Sequence, residues 1–259
     1  MNIVEISTFE LIAFMGVLLI PIGINYAYRL ELLETIGVSV SRMVIQLIFI
    51  GIYLEFLFEL NSLVVNIVWL TLMLLVGSRA IVTSSTLPLK YFYWPAFTGL
   101  CIGLFPLLIL LLFALLKPTP VYHAQYLIPL AGMLLGNCLT GNIVALRGMF
   151  DALQKQNQLY EGALALGATP KQATFQFMQD ALKAALAPIL ATMATTGLVT
   201  LPGMMTGQIL SGTDPMLAVK YQLVIMVAIF TMLSLSIVAT LSISVRRVIS
   251  PTGRLKFLP

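Results

Sequence analysis

The feature that most constrains this chain is a series of long apolar stretches separated by short polar segments. A helix needs about 20 mostly apolar residues to cross about 30 Å of hydrocarbon at 1.5 Å per residue. Seven stretches meet that requirement. They predict an all-α membrane protein, a polytopic transmembrane helix bundle, with spans at about 10–28, 43–60, 62–78, 92–116, 125–146, 184–212 and 218–245.

Composition excludes a soluble domain. Hydrophobic residues make up 59% of the chain and charged residues 9%, whereas a soluble domain carries about 25% charged residues. We therefore expect residues 1–259 to form a single transmembrane domain in a lipid bilayer. The first 28 residues contain no Lys or Arg, so they lack the basic start of a secretory signal and are expected to form a retained first span.

The second and third spans are the least certain pair, because only Glu59-Leu60-Asn61-Ser62 separates them. The region 43–78 could be a tight helical hairpin or one long kinked helix. We favour the hairpin, since Asn61 is suited to turn the chain.

The basic residues predict the topology. With seven spans, twelve of the fourteen Lys and Arg residues lie on one side of the membrane, and only Lys117 and Lys220 lie on the other. The positive-inside rule then puts the N-terminus outside and the C-terminus in the cytoplasm. The largest cytoplasmic stretch is 147–183. The cations form no cluster that would follow a phosphate backbone, so no nucleic-acid partner is expected.

The cytoplasmic stretch contains a segment, 160–173, with a readable local structure. A short helix is expected to end at Gly167 in the left-handed conformation, and Thr169 and Pro170 are suited to begin a second helix as N-cap and first residue. Two short helices joined by a tight turn would form a compact projection. An ordinary solvated loop between two spans is the alternative that remains open.

The pattern Glu161-x-Ala-x-x-Leu-Gly-Ala-Thr-Pro-x-Gln-Ala173 resembles the cytoplasmic signature of ABC transporter permeases. In that family the short helix docks into a groove on a separate ATPase subunit. The resemblance implies an ATPase-coupling role for Glu161, Ala163, Gly167, Ala168 and Pro170. One departure is that a Leu-Pro pair usual in the family about a dozen residues after the glycine is replaced here by Gln179-Asp180.

A second set of segments resembles the FetB (YbbM-like) family of iron-export permeases, which is related to the plant aluminium-sensitivity permeases. The resemblance is carried by the runs 196–208, 211–215, 218–222, 129–137 and 42–47, and Leu201-Pro-Gly-Met-Met205 is its most specific part. It implies a homodimeric permease of the bacterial inner (plasma) membrane that exports a metal ion such as iron. Each copy would work with a separately encoded cytosolic ABC ATPase.

The sequence has no phosphate-binding loop, because it contains no Gly-Lys dipeptide at all and the Gly-x4-Gly-Lys-Ser/Thr motif requires one. We therefore expect no enzymatic activity and no cofactor in this chain. ATP and Mg²⁺ would be bound by the partner ATPase.

The sixth span is expected to break near its middle, where Pro202 removes a backbone donor and Gly203 loosens the helix. Broken helices often mark the substrate site of a transporter, and thioether sulfur suits soft transition metals. A kinked helix with methionines that fill gaps is the alternative, and whether any residue binds metal stays open. The transport-pathway candidates are Asn137, Pro202, Gly203, Met204, Met205 and Gln208.

The sequence therefore predicts an ABC permease subunit that works in export. An importer permease for a metal or small solute, or a membrane scaffold without transport activity, are the alternatives. No acidic or basic residue lies at the centre of a predicted span, which disfavours a proton-coupled carrier. Cys101 and Cys138 lie inside apolar runs and are expected to be small buried hydrophobic residues.

Overall fold

The computed structural model describes residues 7–250 together with Gly253 and Lys256, and this part of the chain is almost entirely helical. Two short helices open it, α1 (Thr8–Met15) and α2 (Leu19–Tyr28), joined by a 3₁₀ turn at Gly16–Leu18. The other helices are α3 (Leu33–Leu60), α4 (Leu63–Ser84), α5 (Leu89–Ile109) with a π-helical extension at Leu110–Leu116, α6 (Ala124–Lys155), α7 (Asn157–Ala165), α8 (Pro170–Ala173), α9 (Phe175–Thr195), α10 (Gly203–Leu210) and α11 (Pro215–Val248).

The chain forms two compact units. The first contains the described residues up to Leu60 together with Leu210–Gly212, and the second contains Asn61–Ile209 and the described residues from Thr213 onward. In the first unit most side chains are exposed, as expected for helices that face lipid. The second unit holds nearly all of the buried core.

Six helical stretches of the described chain are long and apolar enough to cross a membrane. They begin or end at different residues from the predicted spans. Helix α3 starts at Leu33 rather than 43, so Arg42 lies within the helix and not in a loop, and α6 continues to Lys155 rather than 146. Hydropathy marks only the part of a helix that suits hydrocarbon, whereas the helix itself continues into the polar region beyond it.

The region 43–78 is two helices and not one. The chain leaves the helical conformation at Asn61, whose φ of 37° is left-handed, and α4 begins two residues later. The Asn61 side-chain Oδ1 accepts a hydrogen bond of 3.0 Å from the backbone N–H of Ala124. The amide that turns the chain therefore also caps the start of α6.

The predicted sixth span, 184–212, is broken, as its Pro202-Gly203 pair indicated. The break begins earlier than predicted, because α9 ends at Thr195 and residues 196–202 are irregular before α10 starts at Gly203. Gly197 has a φ of +90° and its N–H donates to the carbonyl of Thr200 over 2.9 Å. This glycine, and not the proline alone, ends the helix. The count of seven spans stays a prediction, whereas the predicted last span, 218–245, lies within α11.

Helices α5 and α11 pack against each other along most of their length, and two glycines permit the close approach. A Cβ atom added to Gly103 would lie 2.9 Å from the carbonyl oxygen of Met232, and one added to Gly99 would lie 2.9 Å from that of Ser236. Gly99 and Gly103 are spaced as in the small-xxx-small motifs that bring membrane helices together.

A buried polar pair joins α6 to α11. The Asn142 Nδ2 donates to the Ser236 hydroxyl at 3.0 Å and to the Cys138 carbonyl at 2.9 Å, and both side chains are fully buried. Such hydrogen bonds between membrane helices contribute about 0.6 kcal/mol each and also fix the rotation of the helices. Between α5 and α6, the rings of Phe92 and Phe150 meet edge to face with centroids 4.7 Å apart.

The second unit has one basic end. The C-terminal ends of α4, α6 and α11 and the start of α5 lie at this end, and the starts of α4 and α6 lie at the other. Of the described cations in this unit, Lys117 and Lys220 lie at the far end. Those at the basic end are Arg79, Lys90, Arg147, Lys155, Lys171, Lys183, Arg246, Arg247 and Lys256. Within this unit, most of the described basic residues thus lie at one end of the helices, as the sequence predicted.

We expect Gly103→Ala to destabilise the protein by about 1–3 kcal/mol, because the new methyl group would force α5 away from the Met232 backbone. The measurement is thermal unfolding of the purified protein in mild detergent. Gly148→Ala in α6 is the matched control, since a Cβ atom there would meet nothing within 4 Å. Equal melting temperatures for the two variants would contradict the packing role of Gly103.

Candidate functional site

The segment 147–183 folds as two long helices that carry a small helical tip, which we call the coupling tip and define as residues 157–173. The C-terminal part of α6 packs beside α9, and α7 and α8 connect them at the basic end. A groove of about 200 Å³ separates the two long helices below the tip. Its lining residues include Ala152, Gln156, Gln176, Phe177 and Asp180.

Helix α7 ends in a Schellman motif centred on Gly167. The N–H of Ala168 donates to the carbonyl of Ala163, and the N–H of Gly167 donates to that of Leu164, both over 3.0 Å. Gly167 has the left-handed conformation that this motif requires, with a φ of +90°. The predicted helix end at Gly167 is confirmed.

Helix α8 begins with a capping box, as the sequence indicated. The Thr169 hydroxyl accepts a hydrogen bond from the backbone N–H of Gln172, and the Gln172 side chain accepts one from the backbone N–H of Thr169. Pro170 occupies the first helical position, where its missing N–H leaves no backbone partner unsatisfied. The turn between α7 and α8 is therefore fixed at both ends by local hydrogen bonds.

The five predicted coupling residues lie together on this tip. Glu161 and Gly167 are exposed, and Ala163, Ala168 and Pro170 are half-buried. The Glu161 Oε1 accepts a hydrogen bond of 2.8 Å from the Asn157 side chain. The most exposed apolar side chain of the tip is Leu166, which is 90% exposed; the sequence placed it in the signature but gave it no coupling role.

The coupling tip is also hydrogen-bonded to the chain that follows α11. The Tyr160 hydroxyl donates to the carbonyl of Gly253 over 2.8 Å, and the Tyr160 ring is buried. Burial raises the pKa of the Tyr160 phenol, so the group stays protonated and remains a donor at neutral pH. Leu164 lies directly against Gly253, where a Cβ atom would come within 2.5 Å of Leu164 Cδ1.

Five of the transport-pathway candidates lie at the end of the irregular segment 196–202 and in α10, which follows it. Pro202, Met204, Met205 and Gln208 are half-buried and Gly203 is exposed. Threonine hydroxyls bond to carbonyls on both sides of the break: Thr196 to Thr192 at 2.7 Å and Thr206 to Pro202 at 3.0 Å. Each of these carbonyls also accepts a backbone N–H, from Thr196 at 2.9 Å and from Thr206 at 3.0 Å, so the hydroxyls add a second hydrogen bond at the two helix ends that border the break.

Asn137 lies apart from that segment in sequence, in the middle of α6, and its side chain is exposed. Its Nδ2 donates to the carbonyl of Met133 in the same helix over 2.8 Å. The residue therefore presents its remaining amide oxygen on the outer face of α6, next to the exposed Gly136.

No group of three or more His, Cys, Asp or Glu side chains in the described part of the chain is placed to hold a metal ion. Met204 and Met205 lie next to each other in the first turn of α10. Cys138 is buried and Cys101 is half-buried, and neither forms a disulfide.

The sequence analysis missed Tyr160 and Gly197, and it assigned no coupling role to Leu166, which belongs to the signature. Gly197 follows two threonines, a composition typical of a break, and this signal was available. Leu166 stands beside the signature glycine in the sequence. The partner of Tyr160 is 93 residues away, so no local pattern could have identified it.

We expect Gly167→Ala to weaken the turn by about 1–2 kcal/mol, because a side chain disfavours the left-handed conformation. The measurement is hydrogen exchange, followed by mass spectrometry, across residues 160–173. Gly162→Ala, in the middle of α7 and with nothing within 4 Å of the added atom, is the matched control and should exchange no faster than the wild type. Equal protection in both variants would show that the turn does not need glycine.

The chain matches the Uncharacterised protein family (UPF0014) over residues 8–249. It is 36% identical over 211 residues to "Protein ALUMINUM SENSITIVE 3" of Arabidopsis thaliana, which covers 81% of this chain and 76% of the relative. It is 29% identical over 248 residues to "Probable iron export permease protein FetB" of Escherichia coli (strain K12), which covers 95% and 94%.

A third relative, "UPF0014 membrane protein YjkA" of Bacillus subtilis (strain 168), is 31% identical over 207 residues and covers 80% of this chain and 81% of the relative. No solved structure matches the chain. The family match spans nearly all of the described residues and agrees with the apolar helices. The chain is therefore a multi-pass membrane protein and belongs to the UPF0014 family.

Proposed function

We propose that this protein is the transmembrane subunit of an ABC transporter and that a separate cytosolic ATPase drives it by docking on the coupling tip. The observation that carries the proposal is the geometry of residues 160–173. A Schellman motif and a capping box hold the turn rigid, and the tip presents an almost fully exposed leucine beside the exposed Glu161 and Gly167. A rigid projection with an apolar apex suits a groove on a partner.

The tip is connected to three parts of the second unit: α6, α9 and the residues that follow α11. It continues directly from α6 and into α9, and Tyr160 fastens it to the residues that follow α11. A push or pull on the tip would therefore reach α6, α9 and α11 together. Nucleotide-driven closure of the ATPase pair supplies such a displacement, and alternating access would follow as rigid-body movement of these helices.

The basic end of the second unit supports the orientation in this proposal. Because basic residues are retained on the cytoplasmic side, the end with Arg79, Lys90, Arg247 and the coupling tip would face the cytoplasm. The tip would then stand where a soluble ATPase can reach it. The membrane would be the plasma membrane of the cell.

The broken segment 196–202 and α10 would line the route of the cargo, with Asn137 on α6 as a further candidate. The cargo we propose is a metal ion such as iron, moved outward, and the support for it is the printed name of the Escherichia coli relative. The thioether sulfurs of Met204 and Met205 suit transient contact with a soft transition metal. Two copies of the chain would present two tips to a pair of ATPases.

The direct test of cargo and direction is uptake of radiolabelled iron into inverted vesicles that contain the permease and its ATPase. ATP-dependent accumulation would support export. ATP-dependent loss of preloaded iron from the same vesicles would show import, and ATP hydrolysis without movement of iron would exclude iron as the cargo.

We expect Leu166→Glu to abolish recovery of the ATPase when the permease is purified in mild detergent, because it places a charge at the apolar apex of the tip. Gln154→Glu is the matched control, since it introduces the same side chain at an exposed position of α6 outside the tip and should leave recovery unchanged. Both variants should reach the membrane in normal amounts. Normal ATPase recovery with Leu166→Glu would exclude the tip as the docking element.

We expect Tyr160→Phe to leave ATPase binding intact and to reduce ATP-driven transport several-fold, because the hydrogen bond that fastens the tip to Gly253 is lost. The loss of one such bond costs about 1 kcal/mol, which is enough to loosen the connection without unfolding the helix. The measurement is the ratio of cargo moved to ATP hydrolysed in reconstituted vesicles. Tyr26→Phe, which alters an exposed tyrosine of α2, should not change that ratio.

A further inference from the structure

A basic groove opens on the surface of the second unit, at the same end as the coupling tip. It has a volume of about 420 Å³ and lies where the end of α4, the start of α5 and the end of α11 meet. Arg79 comes from α4, Lys90 from α5 and Arg247 from α11. The remaining lining residues are Leu89, Tyr93 and Trp94 of α5.

Among the residues that the structure describes, no carboxylate pairs with the three cations of this groove. Within residues 7–250, Gly253 and Lys256, the ion pairs closer than 4.0 Å are Arg147 with Asp151 and Lys183 with Asp180. The helix packing therefore brings three positive side chains to one groove without a compensating negative charge from the described chain. Their mutual repulsion is relieved when an anion lies between them.

The position of the groove along the helices indicates the depth at which its occupant lies. Arg79, Lys90 and Arg247 each stand within a few residues of the end of a membrane-crossing helix, where headgroups begin. Tyr93 and Trp94 belong to the aromatic residues that prefer this interface. Trp94 is 53% exposed, so the groove opens sideways, toward lipid.

An apolar surface continues from the groove into the hydrocarbon region. Ile102, Phe105 and Ile109 follow Trp94 along α5 at spacings that place them on the same side of the helix, and all three side chains are exposed. A molecule with an anionic head and long apolar chains would contact the cations and this surface at once. A soluble phosphate would use the cations alone.

We propose that this groove binds the phosphate headgroup of an anionic phospholipid from the adjacent leaflet, with Arg79, Lys90 and Arg247 as its ligands and α5 from Trp94 to Ile109 as the track for an acyl chain. Guanidinium groups from two helices hold phosphate oxygens in the fork geometry that arginine favours, and the Lys90 ammonium adds a third charge. The bound lipid would join the ends of α4, α5 and α11, whatever cargo the protein moves.

The test is native mass spectrometry of the full-length protein in mild detergent, titrated with phosphatidylglycerol and, separately, with phosphatidylcholine. Because phosphatidylglycerol carries a net negative charge and phosphatidylcholine carries none, we expect phosphatidylglycerol to bind about tenfold to a hundredfold more tightly. The test variant is Arg79→Gln/Lys90→Gln/Arg247→Gln. The matched control is Lys155→Gln/Lys171→Gln/Lys183→Gln, which removes the same charge from exposed positions at the same end.

The test variant should bind the two lipids equally, and the control should keep the preference for phosphatidylglycerol. A preference that survives in the test variant, or that falls equally in both variants, would overturn the proposal. Inorganic phosphate and glycerophosphoglycerol distinguish a lipid from a free anion. Neither should displace bound phosphatidylglycerol at millimolar concentration, and displacement by either would assign the groove to a soluble phosphate instead.

Discussion

In a bilayer, helices gain no hydrophobic free energy by packing on one another, because the lipid chains are as apolar as the side chains they replace. The second unit of this protein therefore depends on how closely α5 and α11 approach. Gly99 and Gly103 let the α5 backbone lie against the carbonyls of Ser236 and Met232, and close backbone contact is where dispersion forces between membrane helices are strongest. The Asn142–Ser236 hydrogen bond then fixes α6 against the same part of α11, because Ser236 is also the residue whose carbonyl lies against Gly99.

That packing also positions the two features of the basic end for which we propose functions. Because α11 is held against α5 and α6, the chain that follows it reaches the coupling tip, where Gly253 accepts the Tyr160 hydrogen bond. The same arrangement brings Arg247 to the groove that Arg79 and Lys90 line. The coupling tip and the basic groove thus share α11 as a common support, and a movement of α11 would affect both.

Much of the helical structure could be predicted from the sequence, because membrane helices are encoded locally. The apolar stretches identified six helices long enough to cross a membrane. Asn61 marked the chain break between α3 and α4, and Gly167, Thr169 and Pro170 specified the turn of the coupling tip residue by residue. Helix ends were less predictable: α3 begins ten residues before the apolar stretch at 43, because hydropathy does not register polar helical turns.

The sequence by itself determined the membrane environment, the segregation of charge and the local geometry of the tip. The first follows from apolar stretches of about 20 residues, the second from the order of the polar segments between them, and the third from residues within about four positions of one another. Only the tertiary structure decided that Tyr160 meets Gly253, that Asn142 meets Ser236, and that Arg79, Lys90 and Arg247 line one groove. These partners are separated by up to 168 positions in the numbering. Their meeting depends on which helix faces pack together, and in lipid that choice is made by shape, through the glycines of α5, and not by hydrophobicity.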